Sequence, residues 1–252
     1  MRSRGVHMLV IGAGGLGSPV LRALARAPGI DALVLVDDDV VDRSNLHRQT
    51  LFDADDVGAS KIERAVLRLR DEAESARSHV EITGIEERFV PENAFSLLAG
   101  ADVVVEGADN FATKFLVADA CGIAKRALVQ AGCVRWGGWA LATVPGTSAC
   151  LRCVFEDVPA RLAAASGGTP MPETCAEAGV IGPVVGVLGA LEAVLALRIA
   201  GGDTAAAGVL WRYDGLRGEV RRSPVKRRDG CPLCAGAITS LDADSYGAPA
   251  AP

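Results

Sequence analysis

The sequence predicts an α/β fold with a Rossmann-like sheet, and three observations support that prediction. Short apolar runs alternate with helical stretches through the first half of the chain, which is the rhythm of βαβ units and a parallel sheet. A glycine-rich turn follows the first apolar run. Beyond residue 131 the pattern changes to a two-residue alternation, which indicates antiparallel strands that continue the sheet.

The elements of the parallel part follow in order along the chain. Apolar runs of strand length cover residues 7–12, 32–37, 80–87, 101–110 and 127–131. Helical spacing between them covers residues 15–27, 61–74, 94–98 and 111–125. Helices that connect parallel strands pack on both faces of the sheet, so we expect a three-layer arrangement.

The second half is organised differently. Residues 134–144 alternate with period two, and residues 209–213 and 218–222 predict a hairpin. Residues 156–177 are rich in Ala, Gly, Pro and Ser with little periodicity, which predicts a mobile loop. We expect a single domain over residues 1–239, with a nucleotide-binding half at 1–131 and a second half at 132–239, and a disordered tail at 240–252.

Composition excludes several classes of protein. Half of the residues are hydrophobic and 23% are charged, which is typical of a globular chain. The net charge of −5 disfavours a nucleic-acid or membrane-surface binder, because both need a basic field. The most apolar stretch, residues 180–199, contains Pro183, Glu192 and Arg198, which favours a buried helix over a membrane span. No signal-peptide pattern is present, and we expect a cytoplasmic protein.

The glycine-rich turn satisfies G-x-G-x-x-G between a strand and a helix, through Gly12, Gly14, Gly15 and Gly17. Glycines at these positions let backbone amides and a helix N-terminus approach phosphate groups. Asp37 lies twenty residues beyond Gly17, at the end of the second strand, where a carboxylate binds a ribose. This pair alone predicts an adenine nucleotide, with NAD as the default ligand.

The segment after Asp37 changes that interpretation. Residues 37–49 bring together acids, an amide and arginines, including Asn45 and Arg48, and Lys61 follows at a helix start. Hydride transfer does not need such groups, whereas charge developing on transferred phosphates requires fixed cations and a metal. Asp109, after the fourth strand, would point into the same crevice, and we expect it to bind Mg²⁺.

In order and spacing, five motifs resemble the MoeB/ThiF/HesA family, the bacterial relatives of ubiquitin-activating enzymes. These are GAGGLGS, DDDVVDRSNLHRQ, GASK, GADN and TCAEAGVIGPVVGVLG. The resemblance runs from about Met8 to Cys234. It implies that the ribose is held by Asp37, the magnesium by Asp109, and the phosphates by Asn45, Arg48 and Lys61.

The chain also departs from the family pattern. Members usually carry an N-terminal arm with an arginine that reaches the ATP of a neighbouring subunit; here only Arg2 and Arg4 precede the first strand. Lys114 stands where the family often has arginine, so the charge is kept and the bidentate geometry is lost.

Four cysteines form two C-x-x-C pairs, Cys150 with Cys153 and Cys231 with Cys234. Two such pairs supply the four thiolates of a tetrahedral, structural Zn²⁺ site, which would join distant segments of this chain. The same two pairs occur in the family. Cys121 and Cys133 are expected in the core.

Cys175 stands alone between the predicted loop and the apolar helix. One interpretation is a thiol that receives the activated carboxylate as a thioester or an acyl-persulfide. The other is a cysteine without an essential role, since adenylation needs no thiol. The sequence leaves both open.

The resemblance implies ATP-dependent adenylation of the C-terminal glycine of a MoaD/ThiS-like, ubiquitin-like carrier that ends in Gly-Gly. Pyrophosphate would leave, a separate sulfur donor would act on the acyl-adenylate, and the protein would be a homodimer that contacts its carrier through residues 132–239. Three alternatives remain: an NAD-dependent oxidoreductase, a non-catalytic zinc-containing binding module, and adenylation of a peptide or tRNA.

Overall fold

The structure is a computed structural model that describes residues 5–155 and 178–246. Eight strands form one sheet in the order β3-β2-β1-β4-β5-β6-β7-β8. The strands are β1 (Val6–Ile11), β2 (Ile30–Val36), β3 (Glu81–Ile85), β4 (Val103–Glu106), β5 (Ala127–Val134), β6 (Gly137–Thr143), β7 (Val209–Asp214) and β8 (Glu219–Pro224).

Strands β1 to β5 are parallel to one another, and β5 to β8 pair antiparallel. This is the fold class that the sequence predicted. Strand β1 pairs with β2 on one side and with β4 on the other. The strand order therefore reverses between β1 and β4, and open α/β sheets bind their ligands at such a switch point.

Helices cover both faces of the sheet. They are α1 (Gly17–Arg26), α2 (Lys61–Ser75), α3 (Ala94–Leu98), α4 (Phe111–Ala124), α5 (Leu151–Val154) and α6 (Gly182–Ala200). The larger core cluster lies under α1, α2 and α6, and the smaller one under α3 and α4. The short helix α5, which contains Cys153, was not predicted, because four residues are too few for a periodic pattern.

Helix α6 carries apolar residues on all sides, with Glu192 and Arg198 as its charged residues, and it packs against α1, β4, β5 and β6. By length and composition it is the one helix within residues 5–155 and 178–246 that could cross a membrane, and 44% of it is buried inside the protein. Its contacts with the sheet are those expected of the buried helix that the sequence predicted.

The tail departs from its prediction. We expected disorder from residue 240 onwards. Residues 240–246 instead have a defined structure, and Tyr246 at their end is packed against the protein. Tyr246 is 5% exposed, and its hydroxyl donates a hydrogen bond to Oδ2 of Asp119 at 2.8 Å. A single buried aromatic ring with a hydrogen-bond partner anchors this segment. The predicted loop at residues 156–177, with Cys175, lies outside the described residues, as do Arg2 and Arg4.

Candidate active site

The glycine turn joins β1 to α1 at the switch point. Gly12 has φ of +92°, a conformation that favours glycine. A Cβ on Gly17 would lie 1.9 Å from the carbonyl oxygen of Gly12, so the turn closes only without one. By contrast, a Cβ on Gly14 would meet no protein atom closer than 3.6 Å. Space above Gly14 is therefore open for a ligand at the N-terminus of α1.

Asp37 connects this turn to the loop after β2. Its carboxylate accepts hydrogen bonds from the backbone amides of Ala13, at 2.7 Å, and Asp39, at 2.9 Å. Burial raises the pKa of Asp37, and Lys61 and the two amides offset part of that rise. Asp37 therefore fixes the glycine turn and lies where a ribose would bind.

Lys61 is the first residue of α2, and its ammonium is nearly buried. Its Nζ lies 2.6 Å from Oδ2 of Asp39 and 3.9 Å from Oδ1 of Asp37. The Lys61 backbone amide also donates to the Asp39 carbonyl at 3.0 Å. The cation that the sequence assigned to phosphate is thus paired with a neighbouring acid that was not singled out.

Arg48 and Gln49 follow a short 3₁₀ turn, Arg43–Asn45, and face the glycine turn. Cγ and Cδ of Arg48 lie 3.5 Å from the position of a Cβ on Gly15, and Nε2 of Gln49 lies 3.6 Å from that on Gly14. Gln49 is 4% exposed, and its Oε1 has no hydrogen-bond partner among the described residues. Sequence reasoning gave Gln49 no role, yet it lies against the open glycine.

Asp109 lies in the loop between β4 and α4, and this loop touches the glycine turn. A Cβ on Gly107 would be 3.1 Å from the amide nitrogen of Gly17. Asn110 caps α4 by accepting the amide hydrogen of Thr113 at 2.8 Å. The Asp109 side chain is exposed and has no hydrogen-bond or ion-pair partner within the described part of the chain. A free carboxylate at this position suits a divalent cation.

Beneath this loop lies a buried polar cluster formed by Glu106, Lys114, Gln130 and Glu192, all at most 4% exposed. The ammonium of Lys114 contacts Oε2 of Glu106 at 3.2 Å and the Ala131 carbonyl at 2.5 Å. Lys114 is therefore committed to the core and is not available to a substrate phosphate. Burial raises the pKa of Glu192 well above its usual value.

The four paired cysteines meet in one cluster, which links α5 to the turn after β8. Neighbouring sulfurs of Cys150, Cys153, Cys231 and Cys234 are 3.5 to 3.8 Å apart. A Zn²⁺ ion with four bonds of about 2.3 Å to sulfur spaces its ligands by about 3.8 Å. The donor set fits zinc, and the sulfurs are too far apart for disulfides. Cys121 and Cys133 are buried in the core, as predicted.

At the carboxyl ends of β1, β2 and β4 the structure brings together most residues of the predicted nucleotide site. Arg48, Asp37 and the loop that bears Asp109 lie against the glycine turn, Lys61 lies beside Asp37, and Asn45 is in the preceding 3₁₀ turn. Asp39, Gln49 and Glu106 were missed as members of the site. In the sequence they could be noticed only because they lie close to the motifs. Their contacts are made with residues that are distant along the chain.

A switch point, a glycine turn and an acid after β2 define a Rossmann-like nucleotide-binding protein. Over residues 2–233 the chain matches the ThiF family. The chain belongs to the ThiF family.

Similar proteins carry related names. The chain is 36% identical over 232 residues to the sulfur carrier protein ThiS adenylyltransferase of Escherichia coli, covering 91% of this chain and 86% of that protein. It is 36% identical to the SAMP-activating enzyme E1 of Haloferax volcanii, over 95% of this chain and 84% of that one. A sulfur carrier protein adenylyltransferase of Thermus thermophilus is 35% identical, over 97% and 88%.

The fold also matches a crystal structure of E. coli MccB with ATP. The TM-score is 0.73 at 23% identity, and the match covers 92% of this chain and 68% of the MccB chain. This likeness is one of fold.

Proposed function

We propose that the protein uses ATP to adenylate the C-terminal glycine carboxylate of a small ubiquitin-like sulfur carrier that ends in Gly-Gly. Relatives named as sulfur carrier adenylyltransferases match almost the whole chain, which supports the carrier as substrate. Three contacts around the open glycine turn carry the proposal. Arg48 lies against Gly15, Asp37 joins the turn to Lys61, and the loop that bears Asp109 packs on the turn at Gly107. Cations and a metal-binding acid at that place are expected for nucleotidyl transfer and serve no purpose in hydride transfer.

In the proposed reaction a carboxylate oxygen of the carrier attacks the α-phosphorus of ATP. The bond from the α-phosphorus to the bridging oxygen breaks, that oxygen leaves with pyrophosphate, and an acyl-adenylate remains. Asp37 would hold the ribose and the amides of the glycine turn would hold the phosphates. Arg48, Lys61 and Asn45 would bind the phosphate charge as it develops on the leaving group. Bound at Asp109, Mg²⁺ would neutralise phosphate charge.

Zinc would have a structural role, because four thiolates leave no open coordination position. It would tie α5 to the segment after β8 and so stabilise the half at residues 132–239, where we expect the carrier to bind. Sulfur would come from a separate donor protein. Whether Cys175 takes part in that transfer stays an open prediction.

We also propose a homodimer. Val187 and Val194, which are seven residues apart on α6, are 41% and 51% exposed, and Trp136 is 46% exposed. Residues seven apart share one face of a helix, so Val187 and Val194 present an exposed apolar face of α6 that is suited to a second copy. Val194→Glu should shift the mass measured by light scattering from dimer to monomer. Glu74→Lys, a control on the exposed side of α2, should leave the mass unchanged. A monomeric wild-type protein would contradict the dimer.

We expect the protein in the cytoplasm, without nucleic-acid or membrane partners.

The test is ATP–pyrophosphate exchange with purified carriers. Exchange should require a carrier with an intact Gly-Gly end, and removal of its last glycine should abolish it. Exchange that is driven by a peptide or by tRNA, and not by any carrier, would show that the peptide or tRNA is the substrate. NAD binding without exchange would indicate an oxidoreductase, and carrier binding without pyrophosphate release would indicate a binding module.

A further inference from the structure

Glu106 makes a contact that reaches the proposed metal-binding acid. Its Oε1 accepts a hydrogen bond from the backbone amide of Ala108 at 2.5 Å. Ala108 immediately precedes Asp109, and Asn110 on the other side caps α4. The backbone of Asp109 is therefore held on one side by a buried carboxylate and on the other by a helix cap.

Besides the Ala108 amide, two side chains hold the carboxylate of Glu106. Lys114 supplies the counter-charge at 3.2 Å, and Gln130 donates to Oε2 through its Nε2 at 2.8 Å. Glu106 is fully buried, so its charge depends on these partners. Burial raises the pKa of Glu106, and Lys114, Gln130 and the Ala108 amide offset part of that rise.

A shift of this loop would also disturb the glycine turn. Gly107 lies so close to α1 that an added Cβ would be 3.1 Å from both the Gly17 nitrogen and Cβ of Leu16. The position of Ala108 therefore sets the distance between the glycine turn and Asp109.

We propose that Glu106 is a positioning residue for the adenylation reaction: through the Ala108 amide it fixes Asp109 against the glycine turn, and Lys114 keeps it in place. This role rests on the proposed function. Glu106 and Lys114 would not touch the substrate, because the backbone that they hold separates them from the crevice. Their task would be to position the loop.

Glu192 provides a matched control within the same cluster. It is fully buried on α6, and its charge interacts with those of Lys114 and Glu106. Its carboxyl faces the Ala131 amide and makes no hydrogen bond of normal geometry within the described residues, so it does not hold the Ala108 amide. Glu192→Gln therefore alters a buried carboxyl of the same cluster and leaves the hold on Asp109 intact.

Two double variants isolate the hydrogen bond. Glu106→Gln with Lys114→Met removes both charges and keeps an acceptor for Ala108. Glu106→Leu with Lys114→Met removes both charges and the acceptor. Each removes Glu106 and its counter-ion together, so neither of these two groups is left as an unpaired buried charge, which would destabilise the core whatever the role of the site.

The first readout is hydrogen exchange of the Ala108 amide in the nucleotide-free protein. We expect slow exchange in the wild type, in Glu192→Gln and in the glutamine double variant, and exchange at least about tenfold faster in the leucine double variant. The second readout is the Mg²⁺ dependence of ATP–pyrophosphate exchange, in which the leucine double variant should need about tenfold more Mg²⁺ than the glutamine one.

Equal amide protection and equal Mg²⁺ dependence in the two double variants would overturn the proposal. So would an unprotected Ala108 amide in the wild-type protein, which requires no variant to fold. Asp109→Ala separates the two levels of inference. If it leaves exchange activity unchanged, the proposed metal site fails, while the amide measurement still reports whether Glu106 holds the loop.

Discussion

The ammonium of Lys61 lies 2.6 Å from Oδ2 of Asp39, on the loop that follows β2. Two acids, Asp37 and Asp39, thus face one nearly buried cation. A triphosphate that approaches Lys61 must share it with Asp39, whose side chain is 59% exposed and able to turn away.

Asp39→Asn should therefore strengthen ATP binding by a few-fold, because it removes an anion that competes with the phosphates. The measurement is the Kd for ATP, by calorimetry. Asp38→Asn is the matched control. It removes the same charge from the neighbouring residue, whose carboxylate pairs with Arg88 at 2.8 Å and not with Lys61. Lys61→Met should weaken ATP binding by about 10- to 100-fold. An Asp39→Asn variant as weak as Lys61→Met would show that Asp39 orients the lysine for the phosphates.

The two ends of the glycine turn should respond differently to one added methyl group. Gly14→Ala should fold normally, because its Cβ meets only Nε2 of Gln49 at 3.6 Å, but should weaken ATP binding by at least about tenfold by filling the phosphate space. Gly17→Ala should lower both the melting temperature and ATP binding, because its Cβ overlaps the Gly12 carbonyl oxygen. Thermal melts with and without ATP separate the two effects. Unchanged ATP affinity in Gly14→Ala would place the phosphates elsewhere.

Removal of the predicted zinc should unfold the region around α5. Cys231→Ser, at a fully buried position, should lose the metal in elemental analysis and lower the melting temperature by about 10 °C or more. A strong chelator should have the same effect on the wild type. Cys121→Ala alters a buried cysteine outside the cluster and should keep one zinc per chain. Purified protein that contains no zinc and melts unchanged in chelator would contradict the site.

Glu192 should make the protein less stable as pH rises. Burial raises its folded pKa above the usual 4.5, so the folded state binds more protons than the unfolded chain between these two values. Stability on this account is greatest below pH 4.5 and falls as pH increases towards the folded pKa. Glu192→Gln should remove that decline and make the protein more stable than the wild type at pH 7.

Urea denaturation at several pH values measures the effect of Glu192. Glu74→Gln, on the exposed side of α2, provides the comparison and should leave the pH dependence unchanged. A Glu192→Gln variant that is less stable than the wild type at pH 7 would mean that the ionised carboxylate is satisfied in the folded protein.

Local patterns were sufficient for the sheet and for the motifs. The glycine turn, Asp37 and the two cysteine pairs could be recognised because their geometry depends on neighbours in sequence or on short fixed spacings. The parallel-to-antiparallel change near β5 was visible as a change of period. The element bounds differ from the predicted ones by a few residues, since strand ends are set by pairing partners.

Contacts between distant segments could not be predicted. The sequence showed Lys114 only as a lysine where the family often has arginine, and the structure shows that it faces Glu106 in the core. Tyr246 looked like part of a disordered tail, yet it bonds to Asp119, 127 residues away. Buried polar groups find partners across the fold, and no local pattern identifies which ones they meet.

The central claim is that Asp109 acts with the glycine turn in transfer of the adenylyl group. The most direct test is ATP–pyrophosphate exchange with a Gly-Gly carrier, wild type against Asp109→Asn, with thermal melts to show that both are folded. We expect the variant to melt like the wild type and to lose at least about 100-fold of exchange. Full exchange by a folded Asp109→Asn variant would contradict the account.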